Sequence, residues 1–197
     1  MEQDMEKVRC DWANGNELEA KYHDEEWGTA EHTDQKLFEM LILESMQAGL
    51  SWSTILKKRE TLTKAYDQFD YVKIAEYTQE KIDSLLADPG IIRNKLKVNA
   101  AINNAKVFME IQVEHGSFDQ FIWSYVDHKP IKNRWKNIKE VPASTELSDK
   151  ISKDLKKKGF KFLGTTTVYA FMQATGMVDD HLAYCFKCQE DLGVRQK

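Results

Sequence analysis

Apolar residues along this chain recur at helical spacing, not at alternating spacing. In "TDQKLFEMLILESMQAG" they follow a start signal at Thr33 or Asp34 and run to Gly49, which predicts a helix. Ile55, Leu62, Tyr66 and Phe69 keep the same spacing through the next segment. Thr78 stands before a shorter run of Ile82, Leu85 and Leu86, which "DPG" at 88–90 stops. Val98, Ile102, Ala105 and Met109 mark a long helix closed near Gly116, and Ser117 starts another through "FDQFIWSYV". Leu147, Ile151 and Leu155 recur every fourth residue up to Gly159, with lysines in the last turn, where the helix dipole favours cations. "TTTVYAFMQATG" is apolar nearly all round, which predicts a central helix. No stretch alternates convincingly as a strand, no segment repeats, and no Ser-, Gly- or Pro-rich linker divides the chain. The expected class is all-α, with about eight or nine helices joined by short connections.

Composition agrees. Three prolines and nine glycines leave long stretches unbroken, and 42% hydrophobic residues are ample for a core in 197 residues. The charged start "MEQDMEKVRC" has no apolar signal region, and no apolar run approaches the ~18 residues that span a bilayer. Three cysteines do not make a disulfide framework; reduced thiols or metal ligands fit better. A soluble, cytoplasmic protein is expected. The net charge of −4 is unevenly spread: residues 1–31 carry −7 and the remainder +3. Basic clusters stand at 57–59, 93–97, 132–136 and 156–158. Each reads by itself as a solvated helix face; together they permit a DNA-binding surface on an acidic protein.

Three stretches carry candidate chemistry. In "HLAYC", His181 and Cys185 share one face if the segment is helical. Cys10 and His23 make a second such pair near the other end. The pattern C-x12-H … H-x3-C supplies four ligands of the kind zinc takes in a closed structural site, and would fasten both ends of the chain together. Cys188 makes "CFKC", a redox pair or an alternative ligand pair. In "LILESMQAGLSW", Glu44 lies within an apolar run. It is either a structural carboxylate paired with a cation or one aimed into an apolar pocket to meet a ligand's N–H groups. Trp12, Tyr22 and Trp27 flank His23, and Trp52 follows the Glu44 helix; aromatics at such density are usually core, and around a buried carboxylate they could also wall a slot for a flat, electron-poor base. In "DPGIIRNKLK", a short helix, a Gly-containing turn and a second helix read as a helix–hairpin–helix. Backbone N–H groups there could hold a DNA phosphate, with Arg93, Lys95 and Lys97 adding charge.

With these motifs in place, the chain resembles the 3-methyladenine DNA glycosylase I (TAG) family over about residues 9–185. The resemblance rests on "RCDW", "YHDEEWG", "LFEMLILES", "QAGLSW", "DPGIIRN", "FIWSYV" and "LKKKGFKFLGTTTVYAFMQATGMVDDH". It implies a helix–hairpin–helix DNA glycosylase fold with a zinc-binding region built from both termini. It implies one compact unit over 1–197: a hairpin-containing part near 34–140 and a zinc-pinned part from 1–33 and 141–197. By resemblance, Cys10, His23, His181 and Cys185 hold one structural Zn2+, with Cys188 a bystander. Glu44 hydrogen-bonds the methylated base, Tyr22, Trp12 and Trp52 line its slot, and Leu50 fills the space the extruded nucleotide leaves. Gly90, Arg93 and Lys95 meet DNA. The implied activity is hydrolytic release of 3-methyladenine from double-stranded alkylated DNA by a monomer, leaving an abasic site. No catalytic aspartate and no lyase lysine is assigned. The chain departs from the family at Glu19, where a pocket tyrosine is expected, at Ala30 and at Asn133–Trp135. Two rivals remain: a non-catalytic zinc-stabilised helical module, and a glycosylase retuned to another lesion.

Overall fold

A computed structural model describes residues 7–191, so the ends of the assignment over 1–197 lie outside the described residues. Its α-helices are α1 (Glu17–Glu25), α2 (Asp34–Gln47), α3 (Trp52–Ala65), α4 (Tyr71–Ala75), α5 (Gln79–Ala87), α6 (Lys95–His115), α7 (Phe118–Trp123), α8 (Glu146–Lys158), α9 (Thr165–Ala174) and α10 (Phe186–Asp191). The caps read from sequence hold for α5 and α7: Thr78 accepts from the Lys81 N–H, and Ser117 from the Gln120 N–H. Thr33 precedes α2 without a side-chain cap bond, its hydroxyl donating to Glu31 at 2.7 Å. Instead, the Asp34 carboxylate accepts the N–H groups of Phe118 and Asp119 at 2.9 and 2.8 Å, joining α2 to the start of α7.

α2 is the axis of the fold. Leu37, Phe38, Met40 to Leu43 and Met46 are buried, and the helix packs against α3, α6, α7 and α9. α9 is buried as its apolar surround predicts, between α2 and α8. Arg59 of α3 ties this centre to α1, donating to Glu26 at 2.8 Å through two nitrogens and to Glu39 of α2 at 2.9 Å.

The structure corrects three readings. Phe69 does not continue the α3 helix: the helix ends at Ala65, and Asp67, Gln68 and Phe69 all take left-handed backbone conformations. Their spacing reports burial of Tyr66 and Phe69, which a tight turn achieves as well as a helix. A short parallel strand pair does exist, β1 (Ile131–Lys132) with β2 (Val178–Asp179). Two residues per strand are too few to show alternation. "HLAYC" is a turn, not a helix, closed by the Cys185 N–H donating to Leu182 O at 2.7 Å.

Candidate functional site

Four short elements build one site. Cys10 is the residue before a 3-10 turn, Asp11–Asn14, that carries Trp12. α1 begins at the Asn16 cap, whose side chain accepts from the Glu19 N–H, and delivers two neighbours, Tyr22 and His23, to buried positions. α2 brings Glu44, and Trp52 opens α3 behind its Ser51 cap.

Cys10, His23 and Cys185 place ligand-type atoms within 4.8 Å of one another, all buried. His23 Nε2 stands 3.4 Å from Cys185 Sγ, and its Nδ1 meets Asp24 at 2.9 Å. His181 lies edge-on to His23, with ring centroids 4.9 Å apart. Its Nδ1 meets Asp179 at 2.7 Å, while its Nε2 is buried with no partner. A buried ring nitrogen without a partner, beside two thiols and a second imidazole, fits a fourth metal ligand. Each imidazole is oriented by a carboxylate on its other nitrogen, as ligating histidines usually are. The hydrogen bond with Cys10, reinforced by His23, holds the Cys185 thiol well below its ordinary range. Gly28 makes room for this arrangement: its φ is +75°, and an added Cβ would lie 2.6 Å from His181 Cε1. Cys188 is buried but is not part of the cluster.

Against this cluster lies a cavity of about 490 Å³, lined by Trp12, Tyr22, Glu44 and Trp52 among others, and by Cys10 itself. Tyr22 and Trp52 meet with ring centroids 5.2 Å apart, and Trp12 bridges to Tyr22 at 6.3 Å and to His23 at 5.5 Å. Three polar atoms here are buried without partners: Glu44 Oε2, Tyr22 Oη and Trp52 Nε1. Among the described residues no cation pairs with Glu44. Burial pushes its carboxyl up to about 8 and the Tyr22 phenol well above its ordinary range. The site therefore holds one acceptor and two donors that no protein group among the described residues satisfies.

The remaining positions separate. Glu19 lines the cavity as well. Leu50 is 39% exposed on the loop between α2 and α3, beside the cavity-lining Gln47 and Ser51. The hairpin joins α5 to α6, with Arg93 and Lys95 exposed at its tip and neither side chain paired among the described residues. Gly90 is placed differently from its sequence reading. Its N–H donates to Asp88 Oδ1 at 2.7 Å and its carbonyl accepts from Thr61 at 2.7 Å, so it braces the turn instead of offering a free donor. Lys97 is not a surface cation: it is buried and donates to the carbonyls of Met46 and Ala48, both at 2.7 Å.

Sequence reasoning missed the far wall of the cavity, formed by Ile138, Val141, Pro142, Ala170, Gln173 and Asp180. Buried Asp180 accepts from Tyr169, Gln173, Asn133 and Trp135 at 2.6 to 2.8 Å. The carboxylate behind each histidine was readable, as "HD" at 23–24 and "DDH" at 179–181.

The chain is thus a helical scaffold with a hairpin of helices and an aromatic slot that carries a buried unpartnered carboxylate. Comparison with known proteins narrows the class. The methyladenine glycosylase family description matches residues 12–188. A DNA-3-methyladenine glycosylase of Haemophilus influenzae is 49% identical over 178 residues, covering 90% of this chain and 96% of that one. A crystal structure of a 3-methyladenine DNA glycosylase I (TAG) superposes with a TM-score of 0.88 at 46% identity, covering 91% of this chain and 98% of that one. The Staphylococcus aureus enzyme, solved for the structural basis of its 3-methyladenine recognition, gives 0.87 at 38% identity, covering 90% and 95%. The chain belongs to the methyladenine glycosylase family.

Proposed function

We infer that this protein is a base-excision repair glycosylase that releases 3-methyladenine from alkylated double-stranded DNA. The observation that carries the reading is the buried Glu44 carboxylate, unpartnered in an aromatic cavity. A non-catalytic module has no need of a carboxylate there. Methylation at N3 puts positive charge on adenine and weakens its glycosidic bond, so the base is already a good leaving group. The protein's work is to take the nucleotide out of the stack and hold it, at a few kcal/mol that a damaged base lowers. Glu44 accepts from the exocyclic amino group, Tyr22 and Trp52 offer donors to ring acceptors, and Trp12 and the other rings stack on a cationic face. Leu50 fills the gap in the duplex, and Arg93 and Lys95 hold phosphates, with Gly90 shaping their turn. With no lysine nucleophile assigned, the product is an abasic site in an uncut strand.

Cys10, His23, Cys185 and His181 are the residues that would hold a zinc ion, as a structural crosslink with no position left for water. The donor set and the orphaned His181 Nε2 support this ligand set. On this reading the chain acts as a monomeric unit in which a part near 34–140 carries the hairpin and the segments 1–33 and 141–197 form the zinc-pinned part. The test is incubation with methylated duplex DNA and chromatography of the released bases. Free 3-methyladenine and alkali-labile abasic sites are the expected products. Release of a different lesion as the main product would retune the slot to that base, and no release would sink the reading.

A further inference from the structure

We propose that residues Lys136 to Pro142 form a second DNA-gripping edge, a basic lip of the cavity that holds the phosphates of the extruded nucleotide itself. The proposal rests on the reading of the cavity as a base slot. A base in the slot is joined to its own two phosphates only through its sugar, so those phosphates stop at the rim. Ile138, Val141 and Pro142 line one side of the cavity, with Ser51 and Ser53 also in its lining. Lys139 stands between these wall residues in sequence, and Lys136 just precedes them. Both lysines are exposed, and neither ammonium has an ion-pair partner among the described residues. The one acid of the turn is bonded elsewhere: the Glu140 carboxylate accepts the Lys136 backbone N–H at 2.9 Å and the Asn137 amide at 2.8 Å. The lysines at 157 and 158, by contrast, are paired with Asp154 and Glu114.

The lip is also fixed in place. Ile131 and Asn133 donate backbone N–H groups to Met177 O and Asp179 O, both at 2.9 Å, and Ala183 donates to Trp135 O at 2.8 Å. Asn133 and Trp135 side chains donate to Asp180 at 2.7 and 2.8 Å. The segment leading into the lip is thus clamped to the stretch that carries His181, and the turn itself closes through the Val141 N–H to Ile138 O at 3.2 Å. Two exposed cations without ion-pair partners among the described residues, on a mounted turn, are placed to meet phosphate.

The lip should matter most when a nucleotide is out of the stack. Lys136→Gln, Lys139→Gln and the double variant would be titrated by fluorescence anisotropy, over a range of salt. Two duplexes would be used, one intact and one with a stable abasic-site analogue. On the abasic duplex each substitution is expected to lower the slope of log affinity against log salt by about one. The effect on the intact duplex should be smaller. The affinity for free 3-methyladenine and the thermal midpoint should not move, and Lys139→Arg should restore the slope. An unchanged slope overturns the proposal. So does an equal loss on both duplexes, which would make the lip a general basic surface, and so does a parallel loss of free-base binding. If the wild-type chain releases no 3-methyladenine while the lysine variants still flatten the abasic-duplex slope, the slot reading fails and the lip stands.

Discussion

Glu44 is where folding and recognition pull against each other. Its carboxyl is raised from 4.5 to about 8 by burial alone. Below about 4.5 the group is protonated in folded and unfolded chains and leaves stability unchanged. Between there and about 8 the unfolded chain has given up the proton that the folded chain keeps, so stability falls as pH rises. Glu44→Gln removes this slope. The thermal midpoint of the variant is expected to exceed that of the wild type near pH 8 and to approach it near pH 5. Measured above about pH 8, where Glu44 is ionised, the same change loses a charge-assisted bond to the ligand, roughly 1.5–3 kcal/mol, and lowers affinity for free 3-methyladenine by about one to two orders of magnitude. Midpoint and affinity moving in opposite directions is the signature of a ligand-reading carboxylate. A lower midpoint at every pH with unchanged affinity would make Glu44 structural.

At the scale of elements, the hairpin does two separable things. Its tip presents Arg93 and Lys95 to solvent, so Arg93→Ala or Lys95→Ala should weaken binding to any duplex sequence and lower the salt slope by about one each. Free-base binding should survive, because neither residue lines the cavity. An unchanged slope in both variants would move the anchor elsewhere. In the first turn of α6, Lys97 clamps the carbonyls at the C-terminal end of α2, the end that leads into Gly49 and Leu50. Lys97→Met leaves those carbonyls without their charged donor and should cost roughly 1.5–3 kcal/mol in chemical unfolding. A variant as stable as the wild type would show that the clamp is dispensable.

At the scale of the whole molecule, the Cys–His cluster joins residues more than 150 positions apart, because His23 and Cys185 touch. A crosslink over so long a loop restricts the unfolded chain strongly, and metal affinity becomes folding energy. Elemental analysis is expected to find one zinc per chain. Its removal by a strong chelator should lower the thermal midpoint and loosen Trp12 and Trp27, whose rings pack on His23 and His181. Cys185→Ser should reduce zinc content and Cys188→Ser should not. The reverse result would shift the ligands to the C-x-x-C pair.

The sequence by itself determined what depends on near neighbours. Helical spacing and stop signals located most long helices, with Gly49, Gly116 and Gly159 at positive φ where helices were read to end. Residue chemistry singled out Glu44 and the Cys–His pairs, because an acid in an apolar run and thiols at ligand spacing are local anomalies. α1 left little trace: only Tyr22 and His23 of its nine residues are buried, too few to form a stripe. Tertiary structure alone decided that Gly90 braces its turn, that Lys97 is an internal clamp, and that Phe69 reverses the chain. It alone set residues 131–142 against the segment before His181, which made Asp180 and the lip part of the cavity. Each of these depends on a partner distant in the chain, and periodicity within a segment reports only how much of a face is buried, never by what.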